Sequence, residues 1–267
     1  MTASDATGGV IGYDVAAGVA TLTINNPERR NVLDAGSIAG LRQGLADAAG
    51  DDAVRVVVLT GSGNTFCAGA DLAGATSGDA ASFAGSGPRA LVALLEDLLD
   101  HPKPTIAKVQ GHVAGGGNGL VAACDLAVAA DTAKFAFSEV RVGVAPAVIS
   151  VVCLARLNRG DAYELLLTGE RVSAERVRAA GMLTRVVEAD ALDAEVAGLV
   201  GQLALGGPTA LAATKELLRR VPTMSRTEAF GWTADLSGSL FASDEARAGM
   251  TAFLTRTAPP WAPAGEH

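Results

Sequence analysis

The chain has 267 residues, 49% of them hydrophobic, and a formal net charge of −8. That is enough apolar material to bury one large core, and the negative balance argues against nucleic acid as a partner. No apolar run reaches the ~20 residues of a membrane span, and the N-terminus has no basic start followed by an apolar stretch, so a cytoplasmic protein with no membrane partner is expected.

In chain order, GVATLTINN (18–26) alternates apolar and β-branched residues and reads as a strand. AGSIAGLRQGLADAAGD (35–51) has helical spacing, and VRVVVLTGS (54–62) is a continuous apolar run that suits a strand buried on both faces. NTFCAGADLAG (64–74) is short and glycine-rich. Residues 75–87 read as a mobile loop of small residues, and PRALVALLEDLLDH (88–101) as an amphipathic helix with Pro88 in its first turn. PTIAKVQGHVAG (104–115) reads as one strand running into Gly115, Gly116 and Gly117, and DLAVAADTAKFAFSEV (125–140) as two short strands. Helices are predicted over 147–158, 160–168, 173–181, 190–205, 208–220 and 225–256, the third opened by Ser173 and stopped by Gly181. The tail APPWAPAGEH is expected to fray. Strand–helix alternation followed by a run of helices predicts an α/β protein, with a core over 1–200 and a helical C-terminal region over 201–267.

The chain contains no phosphate-binding loop, nucleophile elbow, zinc-binding HExxH or dinucleotide fingerprint. His101, His112 and His267 are scattered, so no metal site is expected, and Cys67, Cys124 and Cys153 read as reduced core thiols. Two backbone features remain. Gly115–Gly117 lie between a strand and a helix start, where N–H groups lack partners and the positive end of the helix dipole lies. CAGAD (67–71) repeats the design, with Gly69 giving access and Asp71 available as a cap. Two converging N–H donors are what an enolate or thioester oxyanion requires. A pair of tight turns is the plain alternative.

These segments resemble the crotonase, or enoyl-CoA hydratase/isomerase, superfamily over nearly the whole chain. TLTINNPERRNVLD resembles the family's N-terminal strand and CoA-side loop, NTFCAGADLAG its first oxyanion segment and GHVAGGGNGLVAACDLAVAAD its second. AKFAFSEVRVGVAP resembles the segment carrying a catalytic glutamate, while LLLTGERVSAERVRAAGMLTRVV and LFASDEARAGMTAFL follow the C-terminal pattern. The resemblance implies a spiral of ββα turns, an acyl-CoA thioester as substrate with no metal or redox cofactor, and a homo-oligomer, trimer or hexamer. It puts the oxyanion donors at the N–H groups of Ala70 and Gly116. Ala68, Asp71, Leu72, Gly115 and Gly119 then lie along the acyl thioester, and Arg29 and Arg30 near the nucleotide end of CoA. The family's C-terminal lysine is replaced by Ala258, with Arg256 close enough to compensate.

Hydratases of this family generally use two glutamates. The resemblance puts the second at Glu139 and the first at Gly119, where the carboxylate is missing; the neighbouring Asn118 should point elsewhere on its helix. A single glutamate is the pattern of Δ3,Δ2-enoyl-CoA isomerases. The run FSEVRVGVAPAVIS resembles the branch that hydrates 3-methylglutaconyl-CoA, which favours a hydratase and offers Arg141 to a distal carboxylate. A non-catalytic acyl-CoA binder is the third reading. Phe135, Val140 and Val142 are expected to give Glu139 apolar surroundings that raise its pKa.

Overall fold

Ala17 and Gly18 both have positive φ (48° and 78°), the two-residue turn that suits a tight hairpin. They join strands β1 (Ile11–Ala16) and β2 (Val19–Ile24), which pair antiparallel. The structure, a computed structural model, describes residues 10–71 and 80–262, with the backbone alone for 80–86. Helix α1 (Ala35–Gly50) follows, opened by a reciprocal cap in which Asp34 accepts from the Ser37 N–H and Ser37 from the Asp34 N–H.

Three ββα turns then build two sheets. They comprise β3 (Val56–Gly61), β4 (Thr65–Cys67) and α2 (Ala80–Leu99); β5 (Thr105–Val109), β6 (His112–Ala114) and α3 (Gly116–Ala123); and β7 (Leu126–Ala130), β8 (Lys134–Ala136) and α4 (Ala147–Cys153). The first strand of each turn joins a six-stranded sheet and the second a four-stranded one. The chain continues through α5 (Arg159–Thr168), β9 (Arg171–Ser173), α6 (Ala174–Ala179), β10 (Arg185–Val187) and α7 (Leu192–Ala204). Three further helices complete it: α8 (Pro208–Arg220), α9 (Arg226–Phe241) and α10 (Asp244–Thr255). The sheet orders are β1-β2-β3-β5-β7-β10 and β4-β6-β8-β9. This is the expected α/β spiral. The division drawn at residue 200 falls inside α7, whose end at Ala204 is the physical break before the C-terminal helices.

β3 is buried along its whole length, as its unbroken apolar run requires. Val57 and Leu59 face the main core with α1 and α2, while Val56 and Val58 face Leu192, Val196 and Leu199 of α7. Each such side chain contributes roughly 1.5–3 kcal/mol when fully buried.

Several local expectations are corrected. The helix predicted from Pro88 begins at Ala80, so Pro88 is interior, its missing N–H on an exposed face. The alanines of 80–85 extend the helix through a stretch whose glycines and serines suggest a loop. The strand predicted over 104–115 is two strands in different sheets. The chain turns at Gly111, where a Cβ would lie 2.0 Å from the Asn64 carbonyl oxygen, an approach open only to glycine. The helix predicted over 225–256 breaks where Ser243 caps α10 through the Ala246 N–H. The tail is pinned as far as Trp261, whose indole N–H donates to the Leu205 carbonyl and whose own carbonyl accepts from Arg55 Nη1, both at 2.9 Å; residues 263–267 lie outside the described residues.

Candidate active site

The first glycine segment leaves β4 at Cys67. Gly69 sits at φ +85°, and its N–H donates to the Cys67 sulfur at 3.4 Å. Burial pushes that thiol up to about 12, which fits a structural rather than a nucleophilic sulfur. The loop after β2 braces the segment: Ala68 N–H donates to the Arg30 carbonyl at 3.1 Å and Leu33 N–H to the Gly69 carbonyl at 2.8 Å. A trans peptide points its C=O and the following N–H in opposite directions. With its carbonyl held by Leu33, the Gly69–Ala70 peptide therefore directs the Ala70 N–H away from that loop.

The second segment opens α3. Gly115 is the N-cap residue at φ +51°, and Gly116 is the first helical residue. The two segments touch: a Cβ at Gly69 would lie 2.9 Å from Gly116 N and 2.8 Å from the Ala114 carbonyl oxygen. Among the described residues, neither the Ala70 nor the Gly116 N–H donates to an acceptor within the chain. Leu33 and Leu91 flank Gly116, at 3.2 and 3.5 Å from where its Cβ would be.

Glu139 lies in a short 3-10 turn, Ser138–Val142, after β8. A Cβ at Gly115 would come 3.7 Å from its Oε1. Its Oε2 is buried and, among the described residues, without a hydrogen-bond partner. Burial raises the carboxyl above the usual carboxylate range. The thiol of Cys153 on α4 is raised chiefly by burial, with the Glu139 charge adding to it. Phe135 is fully buried and Val140 half-buried, whereas Val142 is 55% exposed and cannot shield Glu139 as the sequence suggests.

Gly119 has a steric reason to be glycine. Its Cβ would stand 2.6 Å from Ile149 Cγ2 and 3.5 Å from Leu95 Cδ2. Ile149 therefore turns its side chain onto Gly119 from α4, while Cys153 follows one helical turn later. Asn118 points away as expected, its amide donating to the carbonyls of Ala136 and Gly115. Gly119→Glu alone is expected to overpack this contact and cost about 1–3 kcal/mol. A thermal unfolding series checks this; a variant as stable as wild type would show that Ile149 yields easily.

The remaining expected residues divide. Asp71 ion-pairs with Arg29, which also reaches Asp34 at 3.4 Å, so neither is free for a ligand at rest. Arg30 is exposed, its side chain without a partner among the described residues. Arg141 is exposed and donates through Nε to the Thr168 carbonyl at the end of α5, 2.9 Å away. Arg256 caps α10 at φ +55°, and Leu72 lies outside the described residues. His101 is buried between the carbonyls of Leu45 and Lys103 and serves packing. Ile149 and Cys153 are not legible in the sequence, because no motif spacing ties α4 to Gly119.

A partly buried carboxylate with one unpartnered oxygen thus lies beside the second of two touching, glycine-opened backbone segments on a ββα spiral. The chain belongs to the enoyl-CoA hydratase/isomerase family, which it matches over residues 14–264. It is 36% identical over 221 residues to the carnitinyl-CoA dehydratase of Proteus mirabilis, covering 79% of this chain and 82% of that one. It is 32% identical over 243 residues to the crotonyl-CoA hydratase of Syntrophomonas wolfei, covering 89% and 92%. The crystal structure of an enoyl-CoA hydratase from Mycobacterium smegmatis superposes with a TM-score of 0.89 at 32% identity, covering 94% of this chain and 98% of that one.

Proposed function

We propose that the protein hydrates a 2-enoyl-CoA thioester, with the thioester oxygen received by the Ala70 and Gly116 N–H groups and Glu139 as the one acid–base group. The observation that carries this is the buried, unpartnered Oε2 of Glu139 beside Gly115. Glu139 takes a proton from water as its oxygen bonds to C3. The electron pair of the double bond moves onto the thioester oxygen as an enolate, and Glu139 returns a proton to C2. Arg30, in the bracing loop and with its side chain unpartnered among the described residues, is the better candidate for a CoA phosphate than Arg29, which Asp71 holds.

One observation favours the isomerase as second reading. The carboxylate missing at Gly119 is replaced in space by the hydrocarbon of Ile149 and Leu95, which offers nothing to hold a water at C3. A panel of crotonyl-, 3-enoyl- and 3-methylglutaconyl-CoA in D₂O and ¹⁸O-water separates the readings. A hydratase places deuterium at C2 and ¹⁸O at C3; an isomerase gives no C3 oxygen; acyl-CoA binding without product leaves a binder. Gly119→Glu combined with Ile149→Ala should gain hydration where Gly119→Glu alone does not.

A branched dicarboxylic acyl group is the finer substrate reading, through the two Arg141 nitrogens that Thr168 leaves unused. Arg141→Leu is then expected to raise KM for 3-methylglutaconyl-CoA about tenfold, the worth of a charge-assisted hydrogen bond, and to leave crotonyl-CoA nearly untouched. Equal effects on both would make Arg141 a brace for α5. The exposure of Leu218, Phe230, Phe241, Phe253 and Leu254, 69–83% each, supports a homo-oligomer, trimer or hexamer, which a solution mass measurement tests.

A further inference from the structure

The bracing loop has an organiser outside the reactive groups. Arg30 and Asn31 are both left-handed, at φ 56° and 55°. Asn31 is fully buried although it follows two exposed arginines. Its side chain joins three segments: Oδ1 accepts from the Asn26 N–H at 2.9 Å, and Nδ2 donates to the carbonyls of Ser62 at 2.9 Å and Thr65 at 2.6 Å. These are the exit of β2, the exit of β3 and the start of β4. Its own N–H donates to the Asn26 carbonyl at 2.8 Å. No other residue type combines one acceptor and two donors on so short a side chain with tolerance of the left-handed region.

Arg30, just before Asn31, and Leu33, two residues after it, grip the first glycine segment, Arg30 through the Ala68 N–H and Leu33 through the Gly69 carbonyl. The second grip fixes the plane of the Gly69–Ala70 peptide, and so the direction of the Ala70 N–H. We propose that Asn31 is a positioning residue for that N–H, fixing the turn that holds Leu33 against Gly69. The proposal rests on the reading of Ala70 as an oxyanion donor.

Asn31→Gly removes the side-chain bonds and keeps the left-handed backbone unstrained; Asn31→Asp, which keeps the acceptor but cannot donate to the two carbonyls, serves if the glycine variant does not fold. With the best substrate of the panel, kcat is expected to fall about 10²-fold, the scale of a small misplacement, while KM stays within about threefold. Ser225→Ala, a helix-cap variant on α9, should lower the Tm without changing kcat. The second readout is the infrared carbonyl stretch of bound [1-¹³C]hexanoyl-CoA, a saturated thioester that cannot react. Wild type should shift it to lower frequency, and the Asn31 variant should return it toward the free value. A shifted wild type with an equally shifted variant and unchanged kcat overturns the role of Asn31 alone. A wild type that causes no shift overturns the donor assignment and the role of Asn31 with it.

Discussion

Glu139→Gln is expected to lower enoyl-CoA turnover by about 10²–10⁴-fold, the usual worth of a general acid–base group. Gln is nearly isosteric but cannot exchange a proton with the substrate, so acyl-CoA binding should be largely preserved. Stability should move the other way. Burial raises the folded-state pKa of Glu139 above its unfolded value, so between the two values the folded state binds the extra proton. Stability therefore falls as pH rises through that window, because above it the folded state holds a buried charge with an unpartnered oxygen. The glutamine variant escapes this penalty. It should melt at or above the wild-type temperature at neutral pH, with the advantage vanishing below the ordinary carboxylate range. Turnover at the wild-type rate would remove Glu139 from the chemistry; a lower melting temperature at neutral pH would contradict its apolar burial.

The second large effect concerns the contact between the two glycine segments. Gly69→Ala puts a Cβ 2.8 Å from the Ala114 carbonyl oxygen and 2.9 Å from Gly116 N, on a backbone at φ +85°. The segments must part to admit it, which would move the Ala70 and Gly116 N–H groups off the thioester oxygen proposed for them. Loss of one such donor costs about 10²–10³ in rate. Gly181→Ala is the control, since it combines a similar left-handed φ of +100° with a Cβ 2.7 Å from the Arg156 carbonyl oxygen, just past the C-terminal end of α6 and outside both glycine segments. Both variants should lose thermal stability, and only Gly69→Ala should lose turnover per folded molecule. Equal losses in the two would reduce Gly69 to a stability position.

What was legible followed from local chemistry. The helical spacing of 35–51 places α1 closely, and the unbroken apolar run of β3 announces a strand buried on both faces. The two glycine segments and Glu139 could be named because their motifs are contiguous. What failed depended on contacts between distant parts of the chain. β9 and β10 have three residues each and exist because an edge of each sheet is open to them. The ion pair of Arg29 with Asp71 spans 42 positions, and it turns two expected ligand contacts into a bond within the protein. Asn31 is masked in the sequence by the two arginines before it, and its full burial is visible only in the fold.

The closeness of Gly119 to Ile149 bears on how this lineage could acquire or recover a second acid. A glycine-to-glutamate change is a single base away in some codons, yet it would meet Ile149 Cγ2 in the space its own Cβ needs. Ile149→Val would not open the way, because valine keeps that branch. A change that removes the γ-branch must come first, and a buried isoleucine truncated to alanine costs about 2–5 kcal/mol until something fills the hole. Either order crosses a handicapped intermediate, and the two changes are worth more together than their separate effects predict. The shape of one helix contact thus stands against any single change that would put a carboxylate at position 119.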